Sequence, residues 1–251
     1  MKVHQLQGHI QSIYLVEYPQ KLLLLDGCCR ADISMLEQFI TGELSRAFSD
    51  LKLLVVTHMH PDHAGAAHKL RKITGCKIAS ANMSTQWYIG LHGRFMHLVD
   101  IALAAWVASR MGKAKRNLWY PPHLKTDYAL FDQDSLPGFD DWCVLATPGH
   151  TDRDLSVLHL PSKRIYIGDL LVKVKDRFIP PIPVNYPEQY RASILKVQAL
   201  RPASLMLAHG REVMLTEANY AHVLTVAPRK PFTIWTPAKN KLQRLLLRKK
   251  G

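Results

Sequence analysis

The most informative run of residues in this chain is Thr57-His58-Met59-His60-Pro61-Asp62-His63-Ala64-Gly65. It continues from the apolar strand expected over 52–57 and precedes a segment of helical character, so it occupies the loop at a strand's end. Four polar side chains within six residues are more than solvation of a loop requires, and neutral imidazoles and carboxylates are ligands that zinc accepts at about 2.0–2.2 Å. The run predicts a metal site in which His58 and His60 bind one ion while Asp62 and His63 reach a second.

Three further candidate ligands follow later strands of the predicted sheet. His150 comes after the strand expected over 142–146, and Asp169 follows the strand expected over 164–167. His209 directly follows the short apolar strand 204–208. Each residue alone is typical of an ordinary turn, but together with the run at 57–65 they indicate one shared metal centre.

This set of residues resembles the metallo-beta-lactamase superfamily of metal-dependent hydrolases, over about residues 10 to 225. The resemblance implies an α/β (α+β) fold, a four-layered αββα sandwich with its site at the edge between the two sheets. It also implies a role for each ligand: the first metal is held by His58, His60 and His150, the second by Asp62, His63 and His209, and Asp169 bridges both.

The implied chemistry is that of a dinuclear hydrolase. Two divalent ions about 3.5–4 Å apart share a bridging water and lower its pKa to near 7, so that a metal-bridged hydroxide is available as nucleophile. Asp62 and Asp169 are the catalytic candidates, and Asp62 is the one placed to orient the nucleophile or carry a proton. The histidine-rich ligand set favours two Zn²⁺ as cofactors, and iron or manganese is also compatible with it.

In the rest of the chain, predicted strands come first in pairs and then alternate with predicted helices. An amphipathic stripe predicts a helix over 32–48, with Asp32 as its N-cap. Further strands are expected over 12–18, 21–26 and 155–160, and further helices over 187–201 and 216–226. We divide the chain into a hydrolase domain, residues 1–228, and a basic C-terminal tail, residues 229–251.

Residues 82–130 break this rhythm and are interpreted as an inserted helical cap. Residues 91–111 are predicted to form a helix that is apolar on most of its circumference. Such a helix either covers an apolar ligand, packs on the body of the protein or forms a homodimer interface. If it is a lid, Phe95 and Trp106 are candidates for substrate binding. Further candidates are His123, which follows Tyr120-Pro121-Pro122, and Arg153, which comes just beyond His150.

The substrate is left open between two classes. The first is a small-molecule ester, thioester or lactone with an apolar group, which we favour because the body of the chain has no concentrated basic face. The second is a phosphodiester, with the protein a phosphodiesterase or nuclease that contacts RNA or DNA through its basic tail. The run after Asp169, Leu170-Leu171-Val172-Lys173, differs from the Gly-Cys-Gly-Arg run typical of glyoxalase II.

The charge of the chain is unevenly distributed. The formal net charge is +13, but residues 229–251 hold eight Lys or Arg and no Asp or Glu, which leaves +5 for the rest. The tail could therefore contact a nucleic acid or the surface of a membrane, or simply be a solvated end. The four cysteines form no Cys-x-x-Cys pair and the first residues carry no export pattern, which predicts reduced thiols in a cytoplasmic protein.

Overall fold

The computed structural model describes residues 1–233 and Thr236. Two sheets form the body of the protein. The first has six strands in the order in which they follow along the chain: β1 (Lys2–Gln7), β2 (Ser12–Glu17), β3 (Leu22–Leu24), β4 (Leu51–Val56), β5 (Lys77–Ala81) and β6 (Tyr128–Leu130). Strands β1 to β3 are antiparallel and β3 to β6 are parallel.

The second sheet contains β7 (Ser135–Leu136), β8 (Phe139–Ala146), β9 (Leu155–His159) and β10 (Arg164–Tyr166) as antiparallel neighbours. A hairpin of β11 (Val172–Val174) and β12 (Arg177–Ile179) stands apart, and β13 (Ser204–Met206) joins β10 in parallel. The α-helices are α1 (Ile33–Gln38), α2 (Pro61–Ala64), α3 (Ala67–Thr74), α4 (Gly90–Arg110), α5 (Pro187–Ala199) and α6 (Glu217–Val226).

Alternating residues of the central strands pack into different cores. In β4, Leu54 and Val56 contact the core beneath α1 and α3, whereas Leu53 and Val55 contact the core between the two sheets. Because both faces of the strand are covered, it appears in the sequence as an unbroken apolar run. Trp142 of β8, fully buried, contributes to the core between the sheets from the other side.

The outer face of the second sheet is covered by the C-terminal helices. Ile165 of β10 and Leu205 of β13 pack in one cluster with Ile194 of α5 and Val223 of α6. Helices therefore cover the outer face of each sheet, and the sheets pack against each other. This four-layered αββα arrangement confirms the fold class expected from the sequence.

Several elements differ from the sequence-based prediction. The helix expected over 32–48 is shorter: a 3₁₀ turn at 30–32 leads into α1, a π-helical turn follows at 39–43, and the chain then leaves the helical path at Ser45, which has a φ of 51°. Asp32 stands at the start of α1 but does not cap it, since its carboxylate accepts hydrogen bonds from the backbone N–H groups of His9 and Cys29. The edge strand β1, with partly exposed and mainly polar residues, was not predicted.

The predicted cap is one long helix with irregular flanks. Helix α4 spans most of the expected segment 91–111, but residues 128–130 form β6 of the first sheet, so the end of the 82–130 segment belongs to the body of the fold. The division into a domain and a tail stays a prediction, because residues 234, 235 and 237–251 lie outside the described residues. Within the described part, no helix has the length and apolar character needed to cross a membrane. All four cysteines are buried and unpaired.

Candidate metal centre

The seven predicted ligands meet at one edge of the two sheets. The loop after β4 and the start of α2 supply His58, His60, Asp62 and His63, and the remaining ligands come from the loops that follow β8, β10 and β13. The carboxyl ends of these strands lie at the same edge, so residues far apart in sequence converge. The ligands form two groups, His58, His60, His150 and Asp169 in the first, and Asp62, His63 and His209 in the second, each with its ligand atoms within 4.8 Å of one another.

Three ring nitrogens of the first group face a common point. Nε2 of His58 lies 3.0 Å from Nδ1 of His60, which lies 2.9 Å from Nε2 of His150. Oδ2 of Asp169 completes the group, 3.5 Å from Nε2 of His150 and 3.9 Å from Nε2 of His58. The four atoms form a small, mostly nitrogen-lined cage.

The second group is held together by carboxylates. Oδ2 of Asp62 lies 3.5 Å from Nε2 of His63 and 3.3 Å from Nε2 of His209. Oδ1 of Asp169 lies 3.3 Å and 3.2 Å from the same two nitrogens. Asp169 therefore directs one oxygen to each group, which is the geometry expected of a bridging ligand.

These spacings fit metal ions. Two atoms bound at about 2.0–2.1 Å to one tetrahedral ion lie about 3.3 Å apart, and the distances in both groups scatter around this value. Nε2 of His63 and Oδ1 of Asp169 are also fully buried and make no hydrogen bond among the described residues. Buried polar atoms in proteins nearly always have a partner, so a cation between the two groups would satisfy both.

The outward nitrogens of four ligand histidines have fixed partners. Nδ1 of His58 lies 3.1 Å from the hydroxyl of Thr57, and Nδ1 of His63 lies 2.6 Å from Oδ2 of Asp26. Nδ1 of His150 donates to the carbonyl of Pro183 at 2.6 Å, and Nδ1 of His209 to the carbonyl of Ile10 at 3.2 Å. Such bonds select the tautomer that leaves the inward nitrogen free to bind a metal.

Burial keeps His58 and His60 of the first group neutral. It lowers the pKa of His58 well below its ordinary value, and the neighbouring histidines add to the effect. Burial likewise lowers the pKa of His60 to about 3. Neutral imidazoles at pH 7 have a lone pair available for a metal ion without first losing a proton.

The second group has an excess of negative charge. Burial would lower the pKa of His63, but the carboxylates of Asp62 and Asp26 outweigh it and raise this pKa well above the ordinary value. Burial would also lower the pKa of His209, but the nearby carboxylates, that of Asp169 above all, outweigh it and raise this pKa to about 10. A divalent cation would replace these protons and neutralise the same charge.

The loop that carries His150 depends on a glycine. Gly149 has a φ of 149°, and a Cβ at this position would lie 2.4 Å from the Cα of Tyr190 in α5. Beyond the histidine, the buried carboxylate of Asp154 accepts hydrogen bonds of 2.6 Å from the backbone and the hydroxyl of Thr151. The tight packing on α5 and these bonds hold the ring of His150 against the first group.

The sequence and structure of the chain match known proteins in a consistent way. The family model described as the metallo-beta-lactamase superfamily matches residues 6–209, which include every ligand. This chain belongs to the metallo-beta-lactamase superfamily. It is a metallo-hydrolase, as the complete ligand set and its relatives indicate.

Individual relatives of the superfamily are distant. The chain is 27% identical over 250 residues to the probable metallo-hydrolase YflN of Bacillus subtilis (strain 168), covering 89% of this chain and 88% of that protein. It is 24% identical over 192 residues to a hydroxyacylglutathione hydrolase of Rhodopseudomonas palustris (strain BisB18), and the match covers 76% of this chain and 60% of that protein. Among solved structures, the metallo-beta-lactamase family protein TTHA1429 of Thermus thermophilus superposes with a TM-score of 0.67 at 20% identity, covering 89% and 78%.

Helix α4 forms one wall of the cleft above the metal ligands. The cleft has a volume of about 160 Å³, and Leu103, Ala104 and Val107 line it on one side while Ile182 lines it on another. The side chains of α4 that line this cleft thus differ from the two that the sequence analysis named as candidates for substrate binding. The structure places Phe95 and Trp106 on the opposite side of the helix, 56% and 61% exposed.

The other two substrate-binding candidates lie in different places. His123 is exposed and is not among the residues that line the described metal cleft. Arg153 lines a separate small cavity beside His58, where its guanidinium lies over the ring of Trp87 at 5.5 Å and donates to the carbonyl of Thr85. Of the four candidates, Arg153 is the one that the structure brings next to a residue of the centre.

Sequence reasoning missed the residues that support the ligands. Asp26 follows the buried strand β3, just as the candidate ligands follow the ends of other strands. This shared position at the end of a strand was the sequence signal that could have identified Asp26. Asp100 on α4 faces the outward nitrogen of His60, with Oδ2 at 3.9 Å from Nε2. Asp100 is the one acidic residue within an otherwise mainly apolar helix, and this isolated charge in the sequence could have identified it as a functional candidate.

Proposed function

We propose that this metallo-hydrolase binds two zinc ions and cleaves an ester, thioester or lactone whose acyl part is apolar. The observation that carries the substrate class is a cavity of about 350 Å³ that opens beside the first group of ligands. Its lining includes His60 and Asp100 together with the largely apolar side chains of Trp87, Tyr88 and Met96. Pockets of this size with a few polar groups at one end suit small organic ligands.

Zinc is proposed because of the donor set. Imidazole nitrogens and carboxylate oxygens at tetrahedral spacing suit zinc, although the same ligands also accept iron or manganese. When bound, the two ions would supply a water of lowered pKa and positive charge next to the oxygen of the scissile carbonyl. His58, His60 and His150 would hold one ion, Asp62, His63 and His209 the other, and Asp169 would contact both.

The protein's own side chains prepare the cleft for this reaction. Asp62 is buried at the floor of the cleft with its carboxylate towards His63 and His209, where we propose that it helps to orient the attacking water. Asn185 lines the apolar cavity and its amide donates to the carbonyl of His150 at 2.6 Å, which connects the acyl pocket to the loop of a ligand. The apolar walls limit the access of bulk water to the reacting group.

The similarity to a hydroxyacylglutathione hydrolase supports acyl chemistry, since that relative is named for the hydrolysis of an acyl-glutathione. The sequence after Asp169 differs from the run typical of glyoxalase II, and the cavity is lined mainly by apolar atoms. We therefore propose a more hydrophobic acyl group as the substrate. The four buried, unpaired cysteines support a reducing compartment, and we propose that the protein acts in the cytoplasm.

The test is the hydrolysis rate of zinc-loaded protein on matched lactones and acyl thioesters of increasing chain length, with bis-nitrophenyl phosphate alongside. A rate that is abolished by a chelator and that rises with chain length supports the proposal. A rate confined to the phosphodiester contradicts it and favours the phosphodiesterase or nuclease. Equal rates on all chain lengths would contradict the assignment of the apolar cavity to the acyl group.

A further inference from the structure

The outer face of α4 is an exposed apolar surface. It consists of Leu91, Phe95, Leu98 and Trp106, which are 86%, 56%, 58% and 61% exposed. Their spacing places them on one side of the helix, opposite the side chains that line the metal cleft. Helices of monomeric proteins that remain apolar towards solvent commonly mark an interaction surface.

The charged residues around this face are almost all cationic. Segment 82–126 contains six Lys or Arg and one acidic residue, Asp100. The side chain of Asp100 is 12% exposed and is turned inward, towards His60 and Tyr88. A second copy of the chain would bring a surface of the same charge against this face, so self-association through it is opposed by electrostatic repulsion.

A basic cavity lies at the C-terminal end of the same face. It has a volume of about 370 Å³ between the last turns of α4 and the loop that follows. Its lining includes Lys113, Lys115 and Arg116, together with Trp106 and Ser109. The pKa of His9, which also lines the cavity, is lowered by burial and further by Arg116 and Lys113, as expected where positive charge is concentrated.

We propose that the outer face of α4 and the basic cavity bind the surface of a bilayer that contains anionic phospholipid. The apolar side chains would enter the interfacial region, where Trp is favoured, and the three cations would contact lipid phosphates. Helix α4 would then lie between the bilayer and the metal cleft. This inference does not depend on which bond the metal centre cleaves.

The experiment is flotation of the full-length chain with phosphatidylcholine vesicles that either contain or lack phosphatidylglycerol. The wild type is expected to float with the anionic vesicles and to stay in solution with the neutral ones. Each Lys or Arg near an anionic surface contributes about fivefold in partitioning, so the triple variant Lys113→Gln/Lys115→Gln/Arg116→Gln is expected to bind roughly 100-fold more weakly. Brominated phosphatidylglycerol should quench the exposed indole of Trp106, and Trp106→Phe should reduce that quenching.

A second variant tests the apolar contribution independently. Leu91→Gln/Leu98→Gln is expected to weaken flotation, whereas the matched control Leu195→Gln/Met214→Gln changes two exposed apolar residues elsewhere, 52% and 76% exposed, and should float like the wild type. The thermal unfolding temperature of each variant reports that it is folded.

Three outcomes would overturn the proposal. One is a wild type that binds no anionic vesicles. Another is full binding by both the triple charge variant and the double leucine variant, which would assign the contact to another part of the chain. The third is a wild type that is dimeric in sedimentation and becomes monomeric in Leu91→Gln/Leu98→Gln without a change in flotation. That result would identify a second copy as the occupant of the face.

Discussion

Oδ2 of Asp26 lies 2.6 Å from Nδ1 of His63, at the base of the metal centre. The same oxygen accepts hydrogen bonds from the hydroxyls of Thr57, at 2.7 Å, and Tyr166, at 3.0 Å. The buried carboxylate thus connects the first sheet, the ligand loop and the second sheet. It orients His63 so that Nε2 points to the centre.

Replacement of Asp26 is expected to weaken metal binding. Asp26→Ala removes the partner that selects the tautomer of His63, and losses of such partners cost about 10–100-fold in metal affinity or activity. Asp26→Asn keeps an acceptor and should have the smaller effect. Zinc affinity is measured by competition with a chromophoric chelator. The matched control is Asp141→Asn, since Asp141 also lies close to a ring nitrogen, at 3.2 Å from His159, but away from the metal centre. An unchanged zinc affinity in Asp26→Ala would contradict the proposed role of Asp26 in orienting His63.

The two ligand groups predict separable metal sites. His209 belongs to the second group alone, so His209→Ala should release one ion and keep the other, whereas Asp169→Ala removes an oxygen from each group and should weaken both. Metal content after dialysis, measured by inductively coupled plasma mass spectrometry, separates the two variants. His123→Ala, which changes an exposed histidine, should retain the wild-type content. Equal losses in His209→Ala and Asp169→Ala would contradict the bridging role of Asp169.

Asp100 predicts a link between the inserted helix and a ligand. Its Oδ2 lies 3.9 Å from Nε2 of His60 and accepts a hydrogen bond of 2.8 Å from the hydroxyl of Tyr88. Because His60 has the weakest outer partner of the ligand histidines, Asp100→Asn should lower zinc affinity less than Asp26→Ala does. Tyr88→Phe should shift affinity in the same direction if Tyr88 acts by holding Asp100. The same chelator competition measures both, and an unchanged affinity in Asp100→Asn would exclude the link.

The apolar cavity predicts a change in chain-length preference. Met96 lines it from α4, so Met96→Trp should fill part of the space and reduce kcat/KM for long acyl chains more than for short ones. Loss of contact for each excluded methylene is worth about 0.8 kcal/mol, or about fourfold. Leu195→Trp adds the same bulk at an exposed position of α5 and should leave the preference unchanged. A uniform loss at every chain length in Met96→Trp would indicate a general structural effect instead.

The buried carboxyl of Asp32 predicts a pH-dependent stability. Burial raises its pKa to about 6, above the unfolded value of about 3.9. The folded state therefore binds this proton more tightly, and the resulting stability is fully present below about pH 4 and is lost as the pH rises through about 6. Between pH 4 and 7 the free energy of unfolding of wild type should fall by about 2 kcal/mol relative to Asp32→Asn.

Urea unfolding at several pH values, with chelator present in every sample, measures this difference. Asp32→Asn also loses part of the bonding to His9 and Cys29, so the quantity to compare is the slope with pH rather than the absolute stability. The exposed Asp140→Asn is the control and should run parallel to wild type. A parallel profile for Asp32→Asn would contradict the raised pKa.

The amino-acid sequence alone determined the candidate metal ligands and the layers of this protein. His58, His60, Asp62 and His63 could be recognised because their spacing within one loop is local and chemically unusual. The two-sided burial of β4 was visible for a similar reason, since a strand covered on both faces must be apolar at every position. These features depend on residues that are close together in the chain.

Tertiary structure alone decided what surrounds the centre. Asp26 becomes a partner of His63 only because β3 pairs with β4, which brings residues 37 apart in sequence to 2.6 Å. Helix α4 is apolar on nearly all sides, so its sequence could not tell which face covers the cleft. The candidates Phe95 and Trp106 lie on the face turned away from that cleft. An amphipathic pattern reveals orientation only when the two faces differ in polarity, and here the packing of Leu103 and Val107 over the ligands settled it.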